Sequence, residues 1–168
     1  MIKRPNSTEY APYYQTYISA VGDDVSSQLV TEADELVNII EEHEDKLDFA
    51  YAEGKWTLRQ VIMHILDCEQ IFAYRLLRIA RGDNTPLLGF DQDVLIDNSD
   101  FSHLDAGDLI RMVESQRNHT FSIINALTDD KFALIGTASE NAVSVRALIY
   151  MIAGHMHHHL EIINERYL

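Results

Sequence analysis

Helix-breaking residues are rare in this chain of 168 residues. It contains seven glycines and three prolines, and Pro86 is the only proline beyond residue 12. Proline removes a helical hydrogen bond and glycine is entropically costly to order, so long segments without either residue favour helix. Strict alternation of apolar and polar residues never extends beyond a few positions, and no internal repeat is present. The sequence therefore predicts an all-α chain without strands.

Apolar spacings of three and four, together with capping signals, predict four amphipathic helices. Thr57 and Gln60 match a capping box, and Gly82 is a typical helix stop. Ser144 is a suitable cap for the last helix. The aromatic segment 10–21 is expected to form a short helix or turn packed across the bundle. The predicted helices span, approximately, residues 25–43, 57–81, 105–127 and 144–168.

The connection between the second and third predicted helices is about 20 residues long, which allows it to cross along the whole bundle. Four amphipathic helices with such a connection predict an antiparallel four-helix bundle with a long crossover loop. A chain of this length suits one domain spanning residues 1–168.

Charge and cysteine content limit the classes of function. Thirteen basic and 27 acidic residues give a net charge of −14, which disfavours nucleic acids and acidic lipid surfaces as partners. Cys68 is the only cysteine, so the chain has no internal disulfide and suits a reducing compartment. No secretory signal and no transmembrane span are recognisable. We expect a soluble, cytoplasmic protein that acts on a small molecule.

Four of the eight histidines lie in one short segment of the last predicted helix. At about 100° per residue, His155 and His159 fall within the buried face of this helix. His158 lies on the flank of that face, and His157 points away from it. The apolar residues that define the face are Leu148, Met151, Ile152, Ile162 and Ile163.

Two interpretations of the inward-facing pair remain open. Histidines at positions i and i+4 of a helix can direct their nitrogens to one metal ion. Alternatively, His155 and His159 are core histidines that hydrogen bond to side chains on facing helices. The segment is not the HExxH motif, because Met156 stands where that motif carries its glutamate, so a metalloprotease is not supported.

The second predicted helix offers a third ligand and several polar neighbours. His64 lies at the edge of its apolar face and can turn towards a neighbouring helix. Asp67 could orient the His64 ring, and Cys68 is interpreted as a small packing residue. Glu69 projects onto the apolar face, where it is either buried with a basic partner or directed into a polar cavity.

Several segments resemble the DinB/YfiT-like metalloprotein superfamily, specifically its DinB-2 branch. The resemblance spans nearly the whole chain, from about residue 10 to residue 168. The motifs, in chain order, are GKWTLRQVIMH at 54–64, GFDQD at 89–93, SVRAL at 144–148, and GHMHHHL at 154–160.

The resemblance implies a four-helix bundle, usually dimeric, in which three histidines hold a divalent metal, zinc or nickel. The matching positions are His64, His155 and His159. Members of this superfamily include hydrolase-like proteins and transferases that use a low-molecular-weight thiol as co-substrate. The resemblance therefore predicts a homodimer with a metal-dependent hydrolase or thiol transferase activity.

The reaction itself is not identified by the sequence. Three neutral histidines leave a coordination position open, as in catalytic zinc sites. Asp67, Glu69 and Asp91 are unranked candidates for proton transfer, and Asp91 also suits a loop cap. A non-catalytic metal- or ligand-binding protein acting in stress response is the alternative. An open polar cleft at the metal would favour an enzyme, whereas a sealed apolar shell would favour structural binding.

Overall fold

Six α-helices and one β-hairpin form the computed structural model, which describes all 168 residues. The helices are α1 (Gln15–Ala20), α2 (Val25–Glu42), α3 (Leu58–Ala80), α4 (Gln92–Asp97), α5 (Ala106–Asn125) and α6 (Val145–Arg166). The strands are β1 (Ile135–Ala138) and β2 (Asn141–Ser144). Short 3-10 turns occupy Pro12–Tyr14, Glu44–Lys46 and Asp129–Ala133.

The long helices begin and end where the sequence predicts, because local capping groups satisfy their terminal backbone atoms. Thr57 and Gln60 form the complete capping box at the start of α3. The Ser144 hydroxyl accepts a hydrogen bond from the Ala147 N–H at the start of α6. After α3, Gly82 adopts a φ of 82°, a left-handed conformation that a glycine supplies without steric cost.

The predicted four-helix bundle with a long crossover is confirmed, with α2, α3, α5 and α6 as its members. Helix α3 packs on α5 and α6, and α2 packs on the other sides of the same two helices. The Tyr167 hydroxyl donates to the Trp56 carbonyl, so the end of α6 meets the start of α3 and these helices are antiparallel. Arg59 contacts the Leu104 carbonyl, which places the starts of α3 and α5 together and makes them parallel. The crossover therefore returns the chain along the full bundle.

The expectation of a chain without strands is wrong, since β1 and β2 form an antiparallel hairpin before α6. Ser139 and Glu140, the residues between the strands, have positive φ values of 50° and 65°. The start of the crossover pairs with this hairpin, because the Leu87 N–H donates to Thr137 and the Ser139 N–H donates to Leu87. The strands have four residues each, too few to produce a detectable alternation.

Two apolar clusters lie one above the other along the bundle axis. One contains the C-terminal half of α3 and the N-terminal half of α6, and the other contains the opposite halves. Between them the buried residues are polar, and this polar layer contains Glu32, His64, Glu69, Arg117, Thr120 and His155. None of the helices combines the length and the hydropathy that crossing a membrane requires.

Candidate metal centre

Three histidines from two antiparallel helices converge in the polar layer. His64 projects from α3, and His155 and His159 project from successive turns of α6. The Nε2 atom of His64 lies 3.0 Å from Nε2 of His155 and 3.1 Å from Nε2 of His159. His64 and His155 are buried, and His159 is half-buried. The structure thus brings together the three residues that the sequence selects, and their role as ligands remains a prediction.

Burial keeps all three imidazoles neutral. It lowers the pKa of His64 to about 4 and the pKa of His159 to about 3. His155 is the most deeply buried, and its pKa lies well below the usual range for the same reason. A second, smaller cause is repulsion between the histidines, because a charge on one ring disfavours a charge on the next. Neutral imidazole is the protonation state that binds a metal.

The donor set fits a divalent cation. The three nitrogens lie within 4.8 Å of one another. Their hydrogen-bonding neighbours are only each other and, for His64, the Cys68 sulfur. If the rings carry their protons on Nδ1, three Nε2 lone pairs face each other, and one cation would satisfy all three. Imidazole nitrogen suits zinc, nickel, copper and iron.

Aromatic side chains pack against the histidine rings. The Tyr17 ring of α1 packs edge-on against His155, with ring centroids 5.5 Å apart. The Trp56 ring packs against His64 at 5.0 Å. Helix α1 approaches α6 this closely because residue 154 is glycine: a Cβ there would overlap the Tyr17 backbone carbonyl. A small residue next to His155 is therefore part of the site's construction.

The expected partner of the His64 ring is corrected by the structure. Asp67 makes no hydrogen bond to His64 and instead lines a separate surface groove with His119. The Cys68 sulfur lies 3.6 Å from His64 Nδ1 and is the neighbour of this nitrogen. Positions i and i+4 lie one above the other on a helix, so Cys68 is placed beside the His64 ring.

Glu69 is buried with a basic partner, the first of its two predicted alternatives. Its carboxylate accepts hydrogen bonds from Arg117 at 2.9 and 3.1 Å and from the Thr120 hydroxyl at 2.7 Å. Arg117 also donates to the Leu29 carbonyl, so this ion pair ties α3 to α5 and α2. With its oxygens occupied in this way, Glu69 does not suit proton transfer at the histidines.

Asp91 and the remaining histidines have structural or exposed positions. Asp91 caps α4 by accepting hydrogen bonds from two backbone N–H groups, as expected of a loop cap. His157 points to α2, where its Nδ1 lies 3.1 Å from the Glu32 carboxylate. His158 packs on Tyr17 and His159. Of the other histidines, His43 is half-exposed, and His103 and His119 are exposed.

An open cavity of about 450 Å³ adjoins the histidine cluster. His159 lines it directly, and Trp56 lines it while also packing on His64. Its remaining lining residues are Tyr51, Gly54, Lys55, Val61, Asp93, Asp97, Ile162 and Tyr167.

Sequence reasoning gives no role to most of these cavity residues. They come from the loop before α3, from α4 and from the end of α6, and only the fold brings them together. One signal was available: Trp56 is the single tryptophan and directly precedes the capping box of the helix that carries His64.

Several known proteins are similar in sequence to this chain. The family model of the DinB superfamily matches residues 28–163. OB0413 of Oceanobacillus iheyensis, named for an inferred metal-dependent hydrolase activity, is 27% identical over 154 residues, which cover 90% of this chain and 80% of that protein. YfiT of Bacillus subtilis, named in the same way, is 22% identical over 125 residues, which cover 73% and 70% of the two chains.

Solved structures share the fold. The structure of YfiT from Bacillus subtilis, described as an unusual four-helix bundle, superposes with a TM-score of 0.71 at 18% identity, covering 94% of this chain and 91% of that one. A DinB-like protein of Bacillus subtilis, YjoA, gives a TM-score of 0.60 at 17% identity, covering 85% and 89%. The family match extends over most of the chain, and the protein belongs to the DinB superfamily.

Proposed function

We propose that this protein is a metal-dependent hydrolase whose divalent metal, zinc or nickel, is held by His64, His155 and His159. The proposal is supported by the convergence of three neutral imidazoles in a buried layer. It agrees with the hydrolase names of OB0413 and YfiT. The substrate is a small molecule that enters the cavity beside His159.

The observation that carries the proposal is the open cavity at the histidine cluster. A structural site is closed by protein ligands, whereas a catalytic site keeps a position open to solvent and substrate. Here His159 is only half-buried and forms part of the wall of a cavity with charged and aromatic residues. An open polar cleft favours an enzyme over the non-catalytic alternative.

The residues around the histidine cluster would have different roles in catalysis. His64, His155 and His159 would hold a divalent cation, which would supply polarisation of a substrate carbonyl and a lowered pKa of bound water. Trp56 fixes the orientation of His64, and Tyr17 fixes that of His155. Trp56 and Ile162 give the cavity an apolar wall that can exclude water from one side of a substrate. Asp67, Glu69 and Asp91 do not line this cavity, so the structure does not support any of them as the base.

The test compares protein stripped of metal by a chelator with the same protein reloaded with zinc or nickel. We expect hydrolysis of at least one member of a panel of small esters and amides only after reloading. His159→Gln should lower this activity at least about tenfold. His103→Gln, a control at an exposed position, should retain the activity. Activity that survives in the stripped protein or in His159→Gln contradicts the proposal.

The thiol transferase alternative is tested in the same samples. Incubation with a low-molecular-weight thiol and an alkylating electrophile would give a metal-dependent thioether product if the protein were a transferase. Formation of that product without any ester or amide hydrolysis would replace the hydrolase assignment.

A further inference from the structure

The charges around the cavity select for one kind of substrate. We propose that the cavity takes small molecules that bind the metal centre at one end and carry a protonated amine at the other. This inference rests on the proposed function, because it assumes that the reacting group lies at the histidine cluster.

The cavity is open to solvent and is lined by His159, so a ligand that enters it can reach this histidine. His159 forms part of its wall, and the Trp56 ring separates it from His64 with ring centroids 5.0 Å apart. A volume of about 450 Å³ is in the range of cavities that hold small ligands. One ligand can therefore place its reacting group near His159 and contact other lining residues with its other end.

Two carboxylates of α4 belong to the same cavity wall as His159. Asp93 and Asp97 are separated by one helical turn and so lie on the same face of α4. Both line the cavity. Ile96, which lies between them in sequence, is buried and fixes α4 against the bundle. Neither aspartate side chain forms an ion pair or accepts a hydrogen bond within the chain, so both carboxylates are available to a ligand.

Aromatic rings complete a surface that suits a cation with an apolar body. The Tyr51 and Tyr167 rings meet edge-on at 5.2 Å, and the Tyr167 hydroxyl donates to the Trp56 carbonyl at 2.7 Å. These contacts hold the aromatic wall rigid. The Arg166 guanidinium lies 5.4 Å from the centre of the Tyr51 ring and occupies a face of that ring, so Trp56 and Tyr167 provide the remaining aromatic surface. Aromatic faces attract ammonium groups in the same way.

The balance of charge excludes an anionic substrate as the preferred one. Lys55 is the only lysine or arginine among the lining residues, which also include Asp93 and Asp97, so the lining has a net negative charge. The whole chain carries −14, and its field attracts cations and repels anions at long range. Both local and long-range electrostatics therefore favour an amine.

The experiment measures binding instead of turnover. Hydroxamates bind divalent metals, so hydroxamates of similar length that differ only at the other end isolate the effect of that end group. The three compounds are ω-aminohexanohydroxamate, which ends in an amine, heptanohydroxamate, which is uncharged there, and adipic monohydroxamate, which ends in a carboxylate. Titration calorimetry on zinc-loaded protein should show the amine binding about tenfold more tightly than the uncharged compound, since exposed ion pairs contribute only modestly to affinity. The anionic compound should bind most weakly. In the Asp93→Asn/Asp97→Asn variant the amine preference should fall to about twofold or less.

A matched control distinguishes the effect of the cavity carboxylates from the effect of the net charge of the whole chain. The variant Glu41→Gln/Glu42→Gln removes two exposed carboxylates from the end of α2, outside the cavity, and should keep the tenfold preference. Equal binding of the three compounds, preference for the anionic one, or no binding to zinc-loaded protein overturns the inference. Amine preference without hydrolysis of any ester or amide would instead overturn the hydrolase proposal and leave this inference standing.

Discussion

The Nε2 atoms of His64 and His155 lie 3.0 Å apart, although 91 residues separate these histidines in the chain. The antiparallel contact between α3 and α6 brings them together at the level where the two apolar clusters meet. The layer between these clusters contains most of the buried polar residues of the chain.

The close approach of α1 to α6 should make Gly154→Ala destabilising. Alanine normally stabilises a helix interior relative to glycine by about 1 kcal/mol. Here its Cβ would overlap the Tyr17 backbone, so we expect the free energy of unfolding to fall by about 2 kcal/mol instead. Urea denaturation of the metal-free variant measures this change.

Gly22→Ala is the control for this effect. A Cβ at residue 22 would meet only the Gln28 side chain at 3.6 Å, an ordinary contact. Its effect on the free energy of unfolding should stay within about 0.5 kcal/mol. A stabilised Gly154→Ala variant would show that α1 does not pack on α6 as described.

The neighbour of His64 Nδ1 should influence metal affinity. Cys68 lies 3.6 Å from this nitrogen, so Cys68→Ala removes the group that fixes the ring and its tautomer. We expect an affinity loss of about tenfold, measured by competition with a chromogenic chelator. Asp67→Asn should leave the affinity within about twofold, because Asp67 forms no hydrogen bond with His64 and lines a separate groove. The reverse order would restore Asp67 as the orienting residue.

The long helices were predictable because their signals are local. Capping groups such as Thr57 and Ser144 lie within a turn of the helix ends that they define. The inward direction of His155 and His159 was predictable for the same reason, since helical phase depends only on nearby residues. The helix ends and the direction of these histidines both depend on short segments, so they can be inferred without knowledge of the tertiary structure.

Features that depend on tertiary contacts were not predictable in the same way. The hairpin needs Leu87 of the crossover as an additional partner. Glu69 had two possible environments, and only the packing of α5 on α3 brings Arg117 to it. Helical phase placed Asp67 near His64 but did not determine which side chain contacts Nδ1. The cavity combines three separate segments and has no sequence motif of its own.

Breaking the buried ion pair should be costly. Arg117 and Glu69 are both almost fully buried, so Arg117→Met leaves the Glu69 carboxylate without its charged partner. We expect the free energy of unfolding at neutral pH to fall by about 3–5 kcal/mol. The double variant Glu69→Met/Arg117→Met should recover at least half of that loss.

An exposed ion pair provides the comparison. Arg111→Met removes the partner of Asp108 at the surface, and its cost should be at most about 1 kcal/mol. Similar costs for Arg117→Met and Arg111→Met in urea denaturation would argue against a buried polar layer.

The metal-free protein should lose stability on mild acidification. The pKa of His64 is about 4 in the folded chain against an ordinary value of 6.5, so below about pH 6.5 the unfolded chain binds a proton that the folded chain does not. One such histidine contributes a loss of about 1.5 kcal/mol between pH 6.5 and about pH 5. Urea denaturation at the two pH values measures the loss. His64→Gln should reduce this pH dependence, and a variant as pH-dependent as wild type would contradict the burial of a neutral ring.

The central claim is that His64, His155 and His159 together hold one divalent metal ion. The most direct measurement is the metal content, by mass spectrometry, of tag-free wild type, His155→Ala and the exposed-site control His103→Ala. We predict about one zinc or nickel ion per chain in wild type and in His103→Ala, and less than about a tenth of that in His155→Ala. Equal metal content in wild type and His155→Ala, with all three proteins folded, would contradict the claim.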